Sequence, residues 1–269
     1  LLKLKDNKKT RFEVINAGVG GYTSGQELLY IMSEIVSYDP DLIIVYDGWN
    51  DQSYNNILIG LYGENMNLLK CATHYELDNR LAKSYELGGG TAIFINNLSY
   101  YIRKLLGNFA FMDLITKVLT RVLTINDQKR IKNKYDPKSS IIYQHNLINI
   151  INVAKQHGIK IALFLQPIMG VDSKKLTGAE KKYYDEIIDL DQRKSFYNDT
   201  RIIYKELKSH YNKANNVYVG DLSRVFENIT DNVYADSGHL YLAGNKIVAE
   251  RIVKSLESND MLLVSMHGK

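Results

Sequence analysis

His239 and Asp236 stand three residues apart, an imidazole that titrates close to neutral pH beside a carboxylate able to hold it. If the segment between them turns, the carboxylate reaches Nδ1, fixes the tautomer and stabilises the imidazolium, which makes the pair a general base and its orienter. Far upstream, Asn50 in Gly48-Trp49-Asn50-Asp51 offers a carboxamide at the end of an apolar run. Gly21, closing Asn16-Ala17-Gly18-Val19-Gly20-Gly21, offers an N–H that no Cβ obstructs. Both are suited to a point where negative charge develops on a carbonyl oxygen. Base, orienter and two oxyanion donors are the parts that acyl transfer needs, with a nucleophile still to be found. Asp51 reads as a brace for the Asn50 loop, and Trp49 as packing or the wall of a cleft. Singly, each has a bland explanation: an Asp-x-x-His surface pair, or an asparagine that holds its own turn.

Other chemistries fare worse. Gly18 to Thr23 between a strand and a helix resembles a phosphate cradle, but Thr23 stands where a third glycine belongs, and Gly20-x4-Gly25 is followed by Gln26 and Glu27 instead of Lys and Ser/Thr. The net charge of +4 is spread through intermixed acids and bases, and the runs Lys3–Arg11, Lys129–Lys138 and Lys174–Lys182 read as solvated faces, so no nucleic-acid partner is expected. A single cysteine, Cys71, excludes an intrachain disulfide and a cysteine-based zinc site. His74, His145, His157, His210 and His267 have no partner at ligand spacing, and a surface or helix-end role is the default for each. No apolar run reaches the roughly 18 to 20 residues needed to span a bilayer. Tyr22, Tyr46 and Tyr241 lie closest to the motifs, where they pack or line a pocket.

The elements that must position these groups alternate. Phe12 to Asn16 reads as a short strand; Thr23 with Gln26, or Ser24 with Glu27, fits a capping box for a helix over about 24–37, stopped by Asp39-Pro40. Leu42 to Tyr46 is an apolar run of the kind buried on both faces of a sheet. After a region from about 52 to 137, with helices expected near 92–106 and 110–122, the rhythm returns. A helix marked by Leu147, Ile150, Ile151 and Ala154 ends at His157-Gly158, and Ile159 to Leu165 is a strand. A long polar helical region covers about 176–212, Val217 to Val219 is a strand, and a last amphipathic helix follows Leu240. Nearly apolar strands separated by helices predict an α/β domain around a parallel sheet, with ligands beyond the carboxyl ends of the strands. The 269 residues suffice for one such domain, 1–269, with an insertion over about 52–137 that walls or lids the site.

In order and spacing, Asn16-Ala-Gly-Val-Gly-Gly-Tyr-Thr-Ser24, Gly48-Trp-Asn-Asp51 and Asp236-Ser-Gly-His239 resemble the second, third and last blocks of the SGNH (GDSL-type) hydrolases. The resemblance implies Gly21 and Asn50 as oxyanion donors, His239 as base and Asp236 as its orienter. It also implies a three-layer α/β/α fold with a flavodoxin-like sheet, no metal, and an extracytoplasmic or cell-envelope setting. The expected reaction is hydrolysis of small acyl esters, often acetyl groups on carbohydrates, or acyl transfer to a sugar hydroxyl on the same fold. The family's first block, Gly-Asp-Ser at the end of a strand, is absent. The nucleophile is therefore expected on a strand upstream of Leu1, about 25 to 40 residues before Asn16, a spacing set by a parallel crossover. Within the chain, Gly220-Asp221-Leu222-Ser223 has an inserted leucine and falls too late in the order, and Ser24 and Ser237 read as a helix cap and a turn residue.

Overall fold

A computed structural model of the chain describes residues 12–52, 135–211 and 216–262. The chain divides into two units, Leu1–Asn55 with Pro137–Lys269, and Asn56–Asp136. The described residues fall in the first unit apart from Tyr135 and Asp136. The insertion expected over about 52–137, helices included, lies outside the described residues save for its margins.

The first unit is α/β. Its described elements run α1 (Ser24–Ser33), a 3-10 turn (Ile35–Tyr38), β1 (Leu42–Asp47), α2 (Lys138–Gln156), β2 (Lys160–Leu165), α3 (Gly178–Asp185), α4 (Leu190–Tyr211), β3 (Val217–Asp221) and α5 (Leu242–Glu257). The strands form a parallel sheet in the order β1-β2-β3, with Leu42 opposite Lys160 and Ile161 opposite Val217. Parallel strands need crossovers, and helices supply them.

Side chains alternate across each strand, so the register assigns the faces. Ile43, Val45, Ile161, Leu163 and Leu165 share the face on which α2 and α4 pack, through Tyr143, Leu147, Ile150, Phe196 and Tyr204. Ala162 and Phe164 turn the other way and join Val248 and Leu256 of α5 with Phe226, Val233 and Tyr234. The central strand is buried from Ile161 to Leu165. α2 follows its predicted stripe and stops at Gly158, whose φ of 68° lets Ile159 N–H return to the Ala154 carbonyl.

Three expectations change. Phe12 to Asn16 is not a strand. It lies exposed, Val14 at 72% and Ile15 at 57%, because among the described residues no neighbouring strand offers a ladder to its N–H and C=O groups. β1 is not buried on both faces either, for Ile44 is exposed on its outer side. The polar region over 176–212 is two helices: a Thr177/Glu180 capping box starts α3, and a break at 186–189 precedes α4. Among the described residues no helix is long and apolar enough to cross a membrane.

Candidate active site

The site grows from the carboxyl end of β1. Asp47 is the last strand residue, and Gly48 turns the chain at φ 125°, where a Cβ would also come within 2.7 Å of Leu165 Cδ1. Only glycine fits there. Residues 49–52 then begin a helix, so Asn50 sits on a helical turn instead of the expected open loop. Asp51, fully buried, accepts Ser24 N–H at 2.9 Å and the Ser24 hydroxyl at 2.5 Å, binding this turn to the start of α1. Ser24 in turn accepts Asn146 Nδ2 at 2.9 Å. The brace expected of Asp51 thus acts on α1. Thr23, not Ser24, caps that helix through its box with Gln26.

Asn50 reaches the glycine turn. Its Nδ2 donates to the Tyr22 carbonyl at 2.9 Å, next to Gly21, whose φ is 84°. An amide nitrogen carries two hydrogens, so this bond orients the carboxamide and leaves the second N–H for another acceptor.

His239 stands on a tight loop closed at its base by Ala235 N–H to the His239 carbonyl and Tyr241 N–H to the Val233 carbonyl, both 2.8 Å. Asp236 folds back on this loop. One of its oxygens accepts the N–H groups of Gly238 (2.8 Å) and His239 (2.7 Å), and the other lies 2.7 Å from His239 Nδ1. Burial works against the Asp236 charge, but the two N–H bonds and the imidazole outweigh it and hold the carboxyl below its ordinary range. The His239 side chain is 70% exposed, leaving Nε2 accessible. Its ring meets the Trp49 indole edge-on at 4.8 Å, and Gly238 lies so close beneath that a Cβ would overlap the indole. Trp49 is therefore a wall, and the histidine loop, the asparagine turn and the glycine turn form one cluster.

Sequence reasoning missed the clamps on this loop. Arg193, nearly buried on α4, donates to the Ser237 carbonyl at 2.9 Å and is held by Asp189 at 2.8 Å; Asp189 also accepts Gln52 Nε2 at 3.2 Å. That chain ties the Asn50 turn to the His239 loop. Glu180, fully buried on α3, accepts the N–H groups of Val233 and Tyr234 and pairs with Lys174 at 2.8 Å, fixing the stem of the loop. The only trace either left was an acid or base at a helical position that faces inward.

Comparison with protein-family models, curated proteins and solved structures gives no match.

Beneath the Asn50 turn lies a second group of acids. Asp47 accepts the Tyr143 hydroxyl at 2.5 Å, and Tyr143 meets the Tyr204 hydroxyl at 2.9 Å. Burial pushes Asp47 up to about 6, against hydrogen bonds from Tyr143 and Glu27 that lower it. Burial, then the charge and hydrogen bond of Asp47 and the charge of Asp51, raise Glu27 well above its ordinary value. The three serines nearest the motifs are committed elsewhere: Ser24 is buried on Asp51, Ser223 is buried against Arg201 Nε at 2.9 Å, and Ser237 faces Arg193.

Proposed function

We propose that this chain carries the base and oxyanion hole of an SGNH-type serine esterase acting on a small acyl ester, such as an O-acetyl group on a glycan. The supporting observation is the convergence at Trp49: His239 rests on that indole while the adjacent Asn50 is hydrogen-bonded to Tyr22 beside Gly21. In this reading His239 takes the nucleophile's proton and returns it to the leaving alcohol, with Asp236 holding the imidazole. Asn50 Nδ2 and Gly21 N–H stabilise the tetrahedral oxyanion. The acyl-enzyme is then released by water, or by a sugar hydroxyl if the enzyme is a transferase.

The nucleophile is proposed to be the serine of a Gly-Asp-Ser strand upstream of Leu1. Exposed Ile44 on the outer side of β1 and exposed Val14 and Ile15 in the segment before the glycine turn support a strand between the two, which would complete a flavodoxin-like sheet. The chain as given would then be a fragment that does not turn over ester. The test is made on the protein extended upstream. A fluorophosphonate should label one serine on that added strand, and 4-nitrophenyl acetate should be hydrolysed, with His239→Ala lowering kcat by about a thousandfold or more. Acetate released against acetyl passed to a sugar separates hydrolysis from transfer. Labelling of Ser24, Ser223 or Ser237, or full turnover by His239→Ala, refutes the assignment.

A further inference from the structure

On the side of the sheet away from β1, the outer edge of β3 opens into a groove of about 520 Å³ between α4 and α5. Asn216 C=O accepts Ile161 N–H and Leu222 N–H donates to Leu165 C=O, so the even-numbered residues of β3 face β2. In a parallel ladder the alternate residues point the other way, and Val217, Val219 and Asp221 direct their N–H and C=O groups outward. Val219 and Asp221 line the groove.

Its walls are basic. α4 contributes Arg201, Lys205 and Lys208, and α5 contributes Arg251, against the single carboxylate of Asp221. Asp221 lies 4.0 Å from Arg201 Nε, and Arg201 also donates to Ser223 Oγ and the Val171 carbonyl, so Lys205, Lys208 and Arg251 set the charge that an occupant meets. Two copies of this edge brought together would oppose lysine to lysine, which disfavours a second copy of the chain. An extended segment bearing carboxylates meets both demands: its main chain satisfies the outward groups of β3, and its side chains meet the cations on both walls. We propose that the β3 edge is a docking site for an extended acidic segment of a partner protein, which adds to the sheet as a further strand.

The probe is a fluorescein-labelled peptide of alternating valine and glutamate, titrated with the full chain and read by anisotropy. The acidic peptide is expected to bind, and a valine–lysine peptide of equal length to bind at least about tenfold more weakly. Lys205→Glu combined with Arg251→Glu should weaken the acidic peptide by about tenfold or more. Val219→Pro removes an outward N–H and no bond to β2, so it should cost about tenfold in affinity with the fold kept. Should that variant unfold, N-methylation of alternate residues of the peptide makes the same test from the ligand side. Absence of acidic-peptide binding, equal binding of the basic peptide, or binding that survives both the loss of the main-chain donor and N-methylation overturns the proposal.

Discussion

Asn50 does two things with one amide. It fastens the glycine turn through Tyr22 and keeps a second N–H, which the proposed mechanism assigns to the oxyanion. In the upstream-extended protein, Asn50→Ala is expected to lower kcat by about a hundredfold or more with KM little changed, because the bond is strongest to the transition state. A change confined to KM would remove Asn50 from that role. Glu27 and Asp47 give the fold a pH dependence of definite sign. Both bind protons more tightly folded than unfolded, so their contribution is full below the ordinary carboxylate range and drains as pH rises through the folded values, for Asp47 about 6. Asp236 acts oppositely, stabilising above its ordinary value and losing that contribution as pH falls. Glu27→Gln, whose amide can still donate to Asp47, should lose less thermal stability than the parent between about pH 5 and about pH 8. An equal loss in both proteins would mean that Glu27 does not hold the proton. His239, Asp236 and Asn50 are visible in the sequence through the order and spacing of the short motifs that contain them. Arg193, Asp189 and Glu180 are not, since a polar residue on a polar helix looks the same whether it faces water or a buried carbonyl.

The His239 loop is held from three sides: Trp49 against Gly238, Arg193 at Ser237 and Glu180 at its stem. Gly238→Ala must push the indole aside, and lower stability with a displaced Trp49 is expected by thermal unfolding and indole fluorescence. Adding Trp49→Leu should recover most of the loss, whereas a purely additive pair would show that the two do not compete for space. Arg193→Met takes the guanidinium from Asp189 and from the Ser237 carbonyl, which keep only Gln52 Nε2 and Met169 N–H, and a loss of about 2 kcal/mol in denaturant unfolding is expected. A loss of only a few tenths would make the clamp incidental. Apolar periodicity made α2 and β2 legible, and Gly158 marked the turn between them. Phe12 to Asn16 misled because its composition suits a strand, while a strand exists only where another pairs with it. The break at 186–189 left little trace, since Ile187 and Ile188 continue an acceptable helical composition.

Across the molecule, the two sides of the sheet differ in character. The β3 side is basic, while the β1 side exposes Ile44, and Phe12, Val14 and Ile15 lie bare in the segment before the glycine turn. An open apolar edge invites pairing between copies. The chain of residues 1–269 should therefore associate with rising concentration in sedimentation velocity, and the upstream-extended protein should not; a monomer at every concentration would mean the edge is covered. The order of the segments along the chain has a temporal meaning as well. Trp49 and Asn50 are synthesised before His239, which leaves the ribosome after every strand of the described sheet. Arg193 already has Asp189 one helical turn away, so its charge is not stranded while Ser237 is still to come. A nascent chain thus presents the Asn50 turn well before the His239 loop, and the contact of His239 with Trp49 can form only after all three described strands have emerged.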